Sequence, residues 1–134
     1  MNTAQATATA GLNAMNALLN GGTLSIYTGT IPASPQAGAT GTKLATWTFS
    51  GTAFGAPTFV SSNMEATATL ASNTVTPVAN GTGGYARSFK SDGTTPVCDY
   101  TVGTSGADIN LTTTTFATTV PSTISSFKHK LPAV

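Results

Sequence analysis

The chain predicts an all-β fold: a two-sheet antiparallel sandwich of jelly-roll type, with about eight strands and one short N-terminal helix. Three observations carry this. Apolar and polar residues alternate with a period of two in one segment after another, as at Leu24/Ile26, Ala45/Trp47/Phe49 and Met64/Ala66/Ala68/Leu70, which lays one face of each segment on a core. The segments are short and separated by turns containing Gly and Pro. Thr supplies 28 of the 134 residues, beside only five Lys or Arg and four Asp or Glu. A β-branched side chain suits a pleated, half-buried surface, and the Lys and Glu that coat exposed helices are almost missing.

A length of 134 residues fits one domain, able to bury roughly two-thirds of the surface its unfolded form exposes. Residues 1–22 are read as an N-terminal arm and short helix, and residues 23–134 as the β-sandwich domain. Leu12, Met15 and Leu19 recur at i, i+3 and i+7, a narrow apolar stripe, and Asn20-Gly21-Gly22 accepts the left-handed conformation of a C-cap. The helix is placed from about Ala10 to Leu19. Before it, alternating Thr and Ala offer too little apolar surface to be held, so the first nine residues are expected to form a mobile arm.

Thr23 to Thr28 is the first strand, with Leu24 and Ile26 inward. Ile31 to Gly41 holds Pro32, Pro35 and no periodicity, so it is expected to be an exposed connection. Lys43 to Ser50 brings Trp47, the core anchor, onto one face with Ala45 and Phe49. A short strand follows from Pro57 to Val60, confined to an edge or a strand start by its proline. Met64 to Leu70 sets Glu65, Thr67 and Thr69 against its apolar face. The connections Thr30–Gly41 and Ala71–Gly83 suit strands that cross between sheets. Ala107 to Leu111 is a strand, and Ser122 to Leu131 is the last, where the opposed parities of Ile124 and Phe127 require a bulge near Ser125-Ser126.

Between these lies the strongest hairpin signal, Gly84 to Gly103, whose Asp92-Gly93 pair tolerates positive φ and which carries Arg87, Lys90, Asp92 and Asp99. Setting Phe89 opposite Cys98 places Arg87 opposite Tyr100 and Tyr85 opposite Val102, gathering the aromatics on one face, with Arg87 packed on them as a cation at the rim of the core. A slip of one residue pairs Arg87 with Asp99 but divides the apolar residues between two faces, and the first register is preferred on that ground.

Catalytic chemistry finds little material. His129 is the only histidine and Cys98 the only cysteine, too few for a metal site of imidazole and thiolate ligands, and His129 reads as an exposed strand-end residue between Lys128 and Lys130. Cys98 reads as a small core residue, and it has no second cysteine with which to close a disulfide. The carboxylates have structural readings: Asp92 in a turn, Asp108 at a strand start, Glu65 on a polar strand face. Gly81-Thr82-Gly83-Gly84 lacks the lysine and the following helix of a phosphate loop. A formal charge of +1 gives no clustered cations for nucleic acid or an anionic membrane. With no apolar segment of signal-peptide or membrane-spanning kind, the chain is expected to be made in the cytoplasm. No enzyme activity and no cofactor are expected.

The runs Gly22-Thr-Leu-Ser-Ile-Tyr-Thr-Gly-Thr-Ile-Pro32, Leu44-Ala-Thr-Trp-Thr-Phe-Ser-Gly-Thr-Ala-Phe-Gly55, Phe89-Lys-Ser-Asp-Gly-Thr-Thr95 and Val102-Gly-Thr-Ser-Gly-Ala-Asp-Ile-Asn-Leu111 resemble the small structural proteins that tailed bacteriophages encode beside their major capsid protein. The likeness covers nearly all the chain from Gly11 onward. It implies a jelly-roll-like capsid cement or decoration protein on the outer surface of the virion, made in the host cytoplasm. Its implied partners are the major capsid protein and further copies of itself, as a homodimer or homotrimer. Leu12, Met15 and Leu19 are then the expected contacts with the capsid or a neighbouring subunit, because so narrow a stripe does not stabilise an isolated helix. The alternative is a phage tail or fibre module that binds a host-surface glycan. Glycan sites expose aromatics beside carboxamides or carboxylates, whereas Trp47 is read here as core.

Overall fold

A computed structural model describes residues 2–134. Helix α1 (Gln5–Ala17) precedes strands β1 (Thr23–Tyr27), β2 (Lys43–Phe54), β3 (Thr58–Val60), β4 (Asn63–Leu70), β5 (Thr74–Val75), β6 (Gly81–Thr82), β7 (Tyr85–Phe89), β8 (Pro96–Gly103), β9 (Ile109–Leu111), β10 (Thr115–Phe116) and β11 (Ser122–Pro132). The protein is mostly β with one short N-terminal helix, as its alternation and threonine content predict.

The strands are arranged differently from the expected pair of facing sheets. Seven of them close into a ring, β4-β2-β1-β7-β8-β9-β11 and back to β4. Closure follows from the length of β11. β11 has 11 residues, enough to pair with β9 through Ile124–Phe127 and with β4 through Lys128–Pro132, so the seven strands close on one another instead of forming two facing sheets. A register shift between Ile124 and Ser126 is the bulge expected there, and it lets both Ile124 and Phe127 be buried. β3 pairs with the start of β4 outside the ring, from Thr58↔Glu65 to Val60↔Asn63.

The interior of the ring is the main core, which includes Leu24, Ile26, Trp47, Phe49, Leu111 and Phe127. Trp47 has no exposed surface, and its indole Nε1 donates to the carbonyl of Asn73 at 3.0 Å, so the polar edge of the ring is satisfied inside an apolar environment.

In the β7–β8 hairpin the slipped register occurs: Arg87 lies opposite Asp99, Ala86 opposite Tyr100 and Ser88 opposite Cys98. The register with Arg87 facing Tyr100 assumed that only one face is covered. Here both are. Ala86 and Tyr100 belong to the interior core, while Tyr85 and Arg87 lie on the outside under the chain between β1 and β2. That connection joins neighbouring strands, not separate sheets, and folds back over the outer face. Tyr85 Oη donates to the carbonyl of Thr40 at 2.8 Å and accepts from its amide at 2.9 Å, and the Tyr27 and Tyr85 rings stack at 5.2 Å. The approach is close enough that a Cβ on Gly84 would stand 1.8 Å from the carbonyl oxygen of Gly29.

α1 begins at Gln5, not near Ala10, so most of the expected arm is helix; Met1 lies outside the described residues. No side chain caps its N-terminus, and the first turn holds no acidic residue. Tertiary packing holds it instead. Ala8 and Leu12 pack with Met64 and Ala133 in a small second cluster, and the amide of Val134 donates to the carbonyl of Thr3 at 2.9 Å.

Candidate functional site

Titratable and nucleophilic side chains converge where α1 meets β8 and β11. The two-residue period of β11 directs Phe127 and His129 inward while Lys128 and Lys130 face solvent. His129, expected at the surface, is 4% exposed. Its ring stacks on Phe54 with centroids 4.1 Å apart, its Nδ1 lies 2.7 Å from Asn16 Oδ1, and its Nε2 lies 2.7 Å from Tyr100 Oη. An amide oxygen only accepts, so Nδ1 carries the proton, Nε2 accepts from the Tyr100 hydroxyl, and that hydroxyl accepts in turn from Ser88 Oγ at 2.9 Å. The chain Asn16–His129–Tyr100–Ser88 thus ties helix, β11, β8 and β7 together. Asn16 Nδ2 has no partner.

Beside this network an open cleft of about 270 Å³ is lined by Met15, Cys98, Tyr100, Asp108, His129 and Leu131, among others. Its chemistry is quiet. Burial lowers the His129 pKa to about 4, against the opposing influence of Asp108, and burial raises the Cys98 thiol and, much further, the Tyr100 phenol. All three are therefore uncharged at neutral pH, leaving neither a thiolate nucleophile nor a basic imidazole nitrogen free to take a proton, because Nε2 is occupied. Asp108 is held by Thr101, whose amide and hydroxyl both donate to Oδ2 at 3.1 Å.

The other carboxylates are also engaged. Asp99 accepts from Arg87 Nε at 2.6 Å and Nη2 at 3.0 Å, and the guanidinium extends to the carbonyls of Ala37 and Ser34. That bond to Asp99 raises the Arg87 pKa. Glu65 lies between Lys128 at 3.6 Å and Lys130 at 3.2 Å. Asp92 accepts from the amides of Thr94 and Thr95, both at 2.8 Å, and from the Thr95 hydroxyl, which together hold its pKa at about 2. Among the described residues no group of three or more His, Cys, Asp or Glu is placed to hold a metal ion.

Leu12, Met15 and Leu19, the expected capsid or subunit contacts, are turned toward the chain itself. Leu12 and Leu19 have no exposed surface: Leu12 faces the second cluster and Leu19 the ring core. Met15 is half-buried, its Sδ 3.8 Å from Cys98 Sγ. Exposed apolar side chains lie elsewhere. Phe59 and Val60, 46% and 42% exposed, stand on β3, which has no neighbour beyond β4. Sequence reasoning passed over them because three residues are too few for a periodic signal, although Pro57 did mark an edge.

Comparison with protein-family models, with curated proteins and with solved structures gives no match. No helix among the described residues is long and apolar enough to cross a membrane.

Proposed function

We propose that the protein is a structural virion component, a cement or decoration subunit that binds the outside of a tailed-phage capsid and braces it. The observation that carries this reading is the internal use of its polar chemistry: the Arg87–Asp99 pair and the network from Asn16 to Ser88 both serve the fold. What is left for other molecules is a Thr- and Ser-rich surface of low charge, which costs little to desolvate, and an uncharged sheet edge at β3. Such a surface works by contact. Many weak contacts repeated over a shell give stability through avidity. The resemblance to small head proteins of tailed phages points the same way and names the partners, the major capsid protein and further copies of this chain as a dimer or trimer.

Reconstruction of the intact virion tests the reading. Density for the protein on the outer shell is expected, and capsids lacking it should release DNA at a lower temperature. Density on the tail tip would favour a glycan-binding module instead, and equal thermal release with and without the protein would remove the bracing role.

A further inference from the structure

The contact between α1 and His129 has features of a releasable joint. α1 lacks a side-chain N-cap and carries no charged residue; beside the weak Cys98 Sγ–Met15 Sδ contact and the Val134 amide bond to Thr3 ahead of the helix, the tie between α1 and the ring is Asn16 Oδ1 to His129 Nδ1 at 2.7 Å. Docking leaves Asn16 Nδ2 buried without a partner, a group that water would satisfy if the helix moved away. The chain beyond the helix is pinned independently. Asn20 Oδ1 accepts from the amide of Ala53 at 2.9 Å, Gly21 donates to Ser50 at 3.0 Å, Gly22 accepts from Phe49 at 2.9 Å, and Leu19 is fully buried in the ring core. Movement of α1 therefore has a natural pivot at Leu18, with the ring left closed behind it.

We infer that α1 is an acid-released latch: protonation of the buried His129 favours a state in which the helix swings away about Leu18, admitting water to the imidazole and uncovering the end of the ring around Met64, Leu131 and Ala133. The charged form has no buried counter-ion. α1 offers no titratable group, and β2 and β7 bring Phe54 and Ser88. β8 brings Tyr100 and Cys98, while its Asp99 is bound to Arg87 on the outer face. Glu65 of β4 lies between Lys128 and Lys130, and Asp108, ahead of β9, is bound to Thr101. All hydrogen bonds of the network survive protonation, since Tyr100 accepts from Nε2 and donates to Ser88 instead. What changes is the cost of keeping a cation dry, and α1 is the cover that lies outside the ring.

The linkage has a definite sign. The docked ring titrates at about 4 and a solvated histidine at 6.5, so the open form binds more protons between these values and docking weakens as pH falls through that window. Between pH 8 and pH 5 the open fraction should rise roughly 30-fold. Cys98 is a partial reporter, since Met15 of α1 covers one side of it. α1 amides, normalised to their intrinsic exchange rate at each pH, should exchange faster by that factor, while alkylation of Cys98, already half-exposed in the cleft, should rise in the same direction by less. Amides of β1 and β7 should stay protected. Flat normalised exchange of the α1 amides in the wild-type chain overturns the latch, and so does loss of protection in β1 and β7 in step with α1, which is global unfolding. His129→Gln, which cannot be protonated, should show no rise when folded; a rise equal to that of the wild type also sinks the proposal. If that variant does not fold, the two wild-type measurements still decide.

Discussion

Arg87 and Asp99 face each other across β7 and β8 and are joined by two hydrogen bonds, with side chains 3% and 5% exposed. The pair lies outside the barrel wall but inside the molecule, because residues 28–42 fold over it. Two further donors of the guanidinium hold main-chain carbonyls of that segment, at Ala37 and Ser34. A charge pair here fastens a segment none of whose own residues is buried.

Removing one member should therefore cost more than the pair is worth. Arg87→Ala or Asp99→Ala alone is expected to lower stability by about 3–5 kcal/mol, since the remaining charge stays buried without a partner. Making both changes to Ala together should cost clearly less than the sum of the single changes. Urea denaturation of the three variants, run as a double-mutant cycle, checks this.

Trp47→Ala should cost about 3–5 kcal/mol as a large truncation of the core. Trp47→Phe should cost less, because it keeps most of the packing and the carbonyl of Asn73 still accepts from the Ile124 amide at 2.9 Å. Native emission from Trp47 should be that of an indole shielded from water, shifting to the red on unfolding.

The turn between β3 and β4 places two serines at positive φ, 47° at Ser61 and 64° at Ser62. This suits Asn-Gly far better than Ser-Ser. The double change Ser61→Asn and Ser62→Gly is expected to stabilise the protein by about 1 kcal/mol, seen as a rise in the thermal midpoint.

Asp92 organises the β7–β8 turn through its bonds to Thr94 and Thr95. Its carboxyl titrates at about 2, below the ordinary 3.8, so the bonds are fully present above the ordinary value and are lost as pH falls through the lower one. Protection of the Thr94 and Thr95 amides from exchange should decline in that acid range. Asp92→Asn should remove the pH dependence.

Much of the secondary structure was legible because period-two alternation is a local property. Leu24/Ile26 and Ala45/Trp47/Phe49 needed nothing beyond their own segments to be placed inward, and the bulge near Ser125-Ser126 followed from a parity conflict within one strand. Closure of the ring was not legible, since it depends on β11 meeting β4 over a long sequence separation. The hairpin register failed for a related reason. Nothing local to Tyr85 or Arg87 tells that residues near Thr40 and Ala37 will cover them. His129 was misplaced because two flanking lysines suggested an exposed strand, when alternation alone sends a residue between two outward lysines into the interior.

Seven is an odd number, and a closed ring cannot alternate strand direction an odd number of times. One like-directed contact is unavoidable, and here it falls between β8 and β9, with only Val102↔Ile109 and Gly103↔Asn110 as partners. The mismatch that parity imposes has been confined to the shortest strand of the circle. If the wall is pulled apart, this is its one like-directed seam, and a load that five of the other junctions share over longer ladders is borne there by two residue pairs, as few as join β2 to β4.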